Sequence, residues 1–196
     1  MSAATLILAL IIVISVIGFL SRTVLLKALL RPYEIARGRE YATLLTSGFV
    51  HADFGHLLFN LVTYCSFAFM MERVIGELRL EILYFGALLA SNIGICIRHR
   101  NDPDYRALGA SGAITAVLFA AIVYFPTTRL SLFFFPIGVP APLFAVIYLG
   151  YSFFASGRPG SRIGHDAHII GALTGLVFVF ITAPEQYRGL MRAIGL

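Results

Sequence analysis

Between Ala3 and Leu20 the chain runs without one charged residue, and Thr5 and Ser15 are its only polar side chains there. A helix of roughly 20 apolar residues crosses the hydrocarbon core of a bilayer, and few other environments accept such a segment. It lacks the basic start of a signal peptide, and Ser21-Arg22 makes a poor cleavage site, so the segment is expected to stay as a membrane helix. Similar apolar segments follow at about 54–71, 80–97, 108–125, 130–155 and 165–183, which makes six candidate spans. Of the 196 residues, 59% are hydrophobic and 13% charged, more apolar surface than one soluble core can hide. The expected fold is therefore an all-α membrane protein, a single polytopic bundle of six transmembrane helices forming one domain over residues 1–196.

The net charge of +5 comes almost wholly from arginines scattered between the apolar runs, since Lys27 is the only lysine. That pattern argues against nucleic acid as a partner and fits contact with anionic lipid head groups of the bilayer. Cys65 and Cys96 fall inside apolar segments and read as packing residues. The stretch from Arg22 to Asp53 mixes charge with Leu25, Leu26, Leu29 and Leu30, so part of it is expected to lie in the membrane interface. In the fifth segment, Pro136, Pro140 and Pro142 should kink or break the helix. The turn-forming run Ser156 to Arg162 after it is expected to be mobile.

Chemistry concentrates in three places. Gly109-Ala110-Ser111-Gly112 opens the fourth apolar segment, where a serine would meet unpaired backbone N–H groups and the positive end of a helix dipole. In the sixth segment His168, Gly171 and Gly175 fall at i, i+3 and i+7, so the imidazole shares a face with a smooth groove. The fourth segment offers a matching small face at Gly112, Ala116 and Ala120. Packing the two faces together could bring the Ser111 hydroxyl to the His168 ring, where a neutral imidazole accepts the serine proton. In the second segment His56 and Asn60 lie four apart on one face, with His51 on the approach. That pair is able to hydrogen-bond an oxyanion, although helix-to-helix hydrogen bonding alone would also account for it.

Neighbouring groups narrow the choice. Asp166 lies two residues from His168 and so points away from it on a helix, which leaves a serine–histidine dyad in place of a triad. His165, Asp166 and His168 do not have the spacing of a zinc motif, and no metal or cofactor is expected. Ala113 stands where a nucleophile elbow would need glycine. His99, between Arg98 and Arg100, reads as a solvated residue.

Taken together, His51-Ala-Asp-Phe-Gly-His56-Leu-Leu-Phe-Asn60, Gly109-Ala-Ser111-Gly112 and Ala167-His168-Ile-Ile-Gly171-Ala-Leu-Thr-Gly175 give the chain a resemblance to the rhomboid intramembrane serine proteases. The resemblance implies that Ser111 is the nucleophile and His168 the general base and later general acid. It also implies an oxyanion hole made by the Ser111 backbone N–H with the His56 and Asn60 side chains, and transmembrane segments of other proteins as substrates. Access past the fifth helix is implied as well. The chain departs from the family pattern at Tyr41-Ala42, where many members have Trp-Arg, and at Thr115, where an aromatic residue often stacks on the histidine ring.

The resemblance implies a cytoplasmic amino terminus in a plasma (inner) membrane, whereas the basic residues, five on the side of the amino terminus and ten on the other, would put the other side in the cytoplasm. The resemblance is followed here, because arginines in an interfacial loop need not report insertion topology. Two competing functions are an inactive rhomboid-like protein that holds membrane clients, and a small transporter using its histidines for protons. The lack of an inverted repeat counts against the transporter.

Overall fold

A computed structural model describes residues 1–132, 135–155 and 165–195. In chain order the helices are α1 (Ala3–Leu20), α2 (Arg22–Ala28), α3 (Pro32–Ile35), α4 (Thr43–Thr46), α5 (Phe54–Ile75), α6 (Glu77–His99) and α7 (Ser111–Tyr124). A strand pair, β1 (Arg129–Leu132) and β2 (Phe135–Pro140), precedes α8 (Ala141–Ala155), α9 (His165–Thr182) and α10 (Gln186–Ala193). Four of these helices, α1, α5, α6 and α9, are long and apolar enough to cross a membrane, and α7 and most of α8 are shorter apolar helices.

The outer helices each bury one stripe and expose apolar side chains on the other. In α1 the inward residues are Ile7, Ile11, Ser15 and Gly18, while Val13 and Val16 face outward. In α5 they are Leu57, Asn60, Tyr64, Ala68, Met71 and Ile75, with Phe59 outward. Exposed apolar surface of this kind on every outer helix is what a lipid-facing bundle presents. Asp53 caps α5, its carboxylate accepting the His56 N–H at 2.8 Å. Gly76, at φ +83°, ends α5 and admits the sharp turn into α6.

α7 is the axis of the bundle. Every residue from Gly112 to Val123 is buried, against α5, α6, α8, α9 and α10. A helix apolar on all sides belongs in such a position. Because lipid is as apolar as leucine, association here depends on close packing of small residues more than on leaving water.

The Arg22–Asp53 stretch is built from α2, α3, α4 and a 3-10 turn at Ser47–Phe49. Ion pairs Arg31–Glu40 at 3.0 Å and Arg39–Glu34 at 2.6 Å lie on its exposed side. Tyr41 is exposed, and the stretch is fastened elsewhere. Leu30 and Ala107 exchange backbone hydrogen bonds at 2.9 and 3.1 Å, and Asn92 of α6 donates to the Leu44 carbonyl at 2.8 Å.

Three expectations need correction. The fifth apolar segment does not begin as a helix at Leu130: β1 and β2 pair antiparallel, with Arg129 opposite Pro140 and Leu130 opposite Val139, and α8 starts only at Ala141. Pro142 sits in its first turn, where a missing N–H costs nothing. Cys65 is exposed on α5 and only Cys96 is buried. His99 is only partly exposed. It stacks on Tyr105 with ring centroids 3.6 Å apart and faces Asp166, Nε2 to Oδ2, at 3.5 Å. The run Ser156 to Arg162 lies outside the described residues.

Candidate active site

The segment leading into α7 is set by its glycine. Gly109 has φ +110°, and its N–H donates to the Ser47 carbonyl at 2.8 Å. A Cβ at this position would stand 2.8 Å from Cε1 and 3.0 Å from Nε2 of His56. Only glycine therefore suits both the backbone angle and the approach of the His56 ring. Ala110 then caps α7 with no side-chain acceptor, so the N–H groups of the first turn, that of Ser111 among them, have no intrahelical or capping partner.

The second feature is the contact of α7 with α9. A Cβ on Gly171 would collide with the carbonyl oxygen of Gly112, and one on Gly175 with that of Ala116. The two helices run parallel with their backbones touching, in the register Gly112 to Gly171 and Ala116 to Gly175. His168 lies one turn before Gly171 and therefore level with the mouth of α7, where Ser111 begins the helix. Both side chains are half-buried. Among the described residues, the Ser111 hydroxyl and the His168 ring are not hydrogen-bonded to each other. Catalytic hydrogen bonds in unliganded sites are often long and tighten with substrate.

The third contribution is from α5. His56 lies over Gly109, at the entrance to α7. Asn60 is buried, and its amide donates to the His56 carbonyl at 3.1 Å, which leaves its second N–H for another acceptor. His51 stands behind His56, ring edge to face at 4.9 Å. The Ser15 hydroxyl donates to the Phe49 carbonyl at 2.8 Å, so His51 Nδ1, also at 2.8 Å from that hydroxyl, must be its donor. Burial, with His56 alongside, holds His51 down to about 3, and the ring is neutral at physiological pH.

A family model for the Rhomboid domain matches residues 38–185, which take in all three of these features. The chain belongs to the rhomboid family.

As a rhomboid it is an integral membrane protein. It is 33% identical over 142 residues to rhomboid protease GlpG of Haemophilus influenzae, covering 72% of this chain and 69% of that one. It is 32% identical over 145 residues to the RHOMBOID-like protein 12, mitochondrial, of Arabidopsis thaliana, covering 66% of this chain and 43% of that one. A human relative, the presenilin-associated rhomboid-like protein, mitochondrial, is 30% identical over 150 residues, or 69% of this chain and 36% of its own length. The chain thus spans less than half of these last two relatives.

One side chain near His168, Tyr148, was missed by sequence reasoning, and a second, His165, had been weighed only as a metal ligand. Tyr148 of α8 stacks on the His168 ring, centroids 5.9 Å apart and planes 27° from parallel. Its hydroxyl lies 3.2 Å from that of Thr115. The ring contact expected from the α7 position of Thr115 is thus made from another helix. On the far side, His165 meets His168 edge-on at 5.9 Å. Asp166 turns away from His168 and pairs with Arg98 at 2.7 Å, which joins the start of α9 to the end of α6.

Proposed function

We propose that this rhomboid is an intramembrane serine endopeptidase that cleaves transmembrane segments of other membrane proteins through a Ser111–His168 dyad. The observation that carries this reading is the α7–α9 register, with Gly171 against Gly112 and Gly175 against Ala116, which sets His168 level with Ser111. In the proposed reaction Ser111 Oγ attacks the scissile carbonyl carbon as His168 takes its proton. The oxyanion is met by the Ser111 N–H, His56 and Asn60. His168 then protonates the leaving amine, and later deprotonates the water that releases the acyl group from Ser111. His51 supports His56 from behind. No cofactor or metal enters this scheme.

The proposed topology is one domain with six spans, α1, α5, α6, α7, α8 and α9, in a plasma (inner) membrane with the amino terminus cytoplasmic. Parallel α7 and α9 favour a crossing of the membrane by α8 between them. At 14 residues, α7 is roughly 21 Å long against a hydrocarbon core of about 30 Å. A helix that short fits a nucleophile lying beneath the membrane surface.

The test is cleavage of a transmembrane substrate by the purified protein in proteoliposomes, beside Ser111→Ala and His168→Ala. Cleavage that depends on both residues is expected, and cleavage surviving either change would overturn the reading. A second reading, a catalytically silent rhomboid that holds membrane clients, is favoured by the missing Ser111–His168 hydrogen bond. In that case clients are retained and none is cut.

A further inference from the structure

The His168 ring is held by a side chain that does not belong to either helix of the dyad. Tyr148 projects from α8, lies against the imidazole in an offset stack, and reaches Thr115 with its hydroxyl. Thr115 is buried on α7, one turn beyond Ser111. One phenol therefore touches the imidazole with its face and the nucleophile's own helix with its oxygen. Phe119 of α7, at 5.8 Å, and Phe144 of α8, at 5.7 Å, pack against the same phenol and restrict its tilt. An imidazole rotates broadly about its last side-chain bond. Fixing its plane requires either a hydrogen bond to one nitrogen or a surface against its face. Asp166 does not supply the former, because its carboxylate turns away from His168 to Arg98 and His99.

We infer that Tyr148 is a positioning residue: tethered to Thr115, it fixes the plane of the His168 ring relative to Ser111 and makes the reactivity of the dyad depend on α8 being seated against α7 and α9. The inference rests on the protease reading above. Tyr148 acts through the face of the His168 ring and carries no proton or bond of the reaction itself. Its effect is on the fraction of time that an imidazole nitrogen is aimed at the hydroxyl, so it acts on turnover and not on substrate binding. Outward displacement of α8 would release the ring, and a site whose α8 has been pushed aside would regain full reactivity only when the helix returns.

The experiment compares wild type with Tyr148→Phe, Tyr148→Leu and Thr115→Val in proteoliposomes, measuring kcat and KM for one transmembrane substrate. In parallel, the His168 ring protons are followed by NMR in histidine-labelled protein in detergent, with His168→Gln to assign them. Tyr148→Leu is expected to lower kcat about 10- to 100-fold with KM changed by about twofold or less. Tyr148→Phe, which keeps the ring, and Thr115→Val, which removes only the tether, are each expected to lose about 2- to 10-fold in kcat. The ring-current shift of the His168 protons should vanish in Tyr148→Leu and persist in Tyr148→Phe. Unchanged kcat in Tyr148→Leu, a loss confined to KM, or a His168 shift indifferent to the leucine would overturn the inference while leaving the protease reading intact. An inert wild type whose His168 shift still depends on Tyr148 would instead overturn the protease reading and leave Tyr148 as the residue that holds the ring.

Discussion

The α-carbon of Gly171 lies against the carbonyl oxygen of Gly112, so closely that not even a methyl group fits between α9 and α7. This contact ties the stability of the bundle to the geometry of the site, because Gly112 adjoins Ser111 and Gly171 is one turn from His168.

Gly171→Ala should therefore destabilise the protein and disable it out of proportion. The colliding atom is backbone, so the helices have to separate, and overpacking of this kind costs about 1–3 kcal/mol. The expected outcome is a lowered thermal midpoint in detergent together with a loss of activity that remains when the assay is run well below that midpoint. Activity equal to wild type at low temperature would mean that the α7–α9 spacing does not set the dyad.

Gly109→Ala tests the approach of His56. The substitution meets an unfavourable backbone angle and pushes on the His56 ring, and losing an oxyanion donor typically costs on the order of 10²–10³ in rate. A fall of that order in kcat is expected, with the protein still folded by circular dichroism. A rise in KM alone would speak against His56 as an oxyanion donor.

These contacts also mark what the sequence could and could not disclose. The seam between α7 and α9 was legible because small residues at helical spacing on two segments can only match in a few registers. Of the six expected spans, four, α1, α5, α6 and α9, were legible as helices long and apolar enough to cross a membrane. The strand pair at 129–140 was not, since an apolar run without periodicity reads equally as strand or helix, and its prolines could be taken as a kink. Tyr148 was invisible for a different reason: twenty residues separate it from His168, and nothing in its own neighbourhood says which helix it leans on. His99 was misread because its partners, Tyr105 and Asp166, come from a loop and from another helix.

Asp166→Asn separates a dyad from a triad. The carboxylate pairs with Arg98 at 2.7 Å and faces His99, not His168. Activity within a few-fold of wild type is expected. A drop of about 10⁴, the scale seen when a triad aspartate is lost, would show that the carboxylate acts on His168 after all.

Acid should weaken the fold through His51. Its ring is held at about 3 in the folded protein, below the roughly 6.5 of an unfolded histidine. The unfolded chain binds the extra proton first, so stability is unaffected above about pH 6.5 and falls as pH drops from there toward 3. The slope from this one group is at most about 1.4 kcal/mol per pH unit. Thermal midpoints measured in detergent from pH 7 to 4 should decline in wild type and decline less steeply in His51→Gln. Parallel curves for the two proteins would show that His51 is not the group responsible.

The most direct measurement is to treat the membrane-embedded protein with an alkyl fluorophosphonate and locate the adduct by mass spectrometry. The account requires the phosphonyl group on Ser111 in wild type, and greatly reduced or absent labelling in His168→Ala. An adduct elsewhere, or a Ser111 adduct formed equally well without His168, would contradict it.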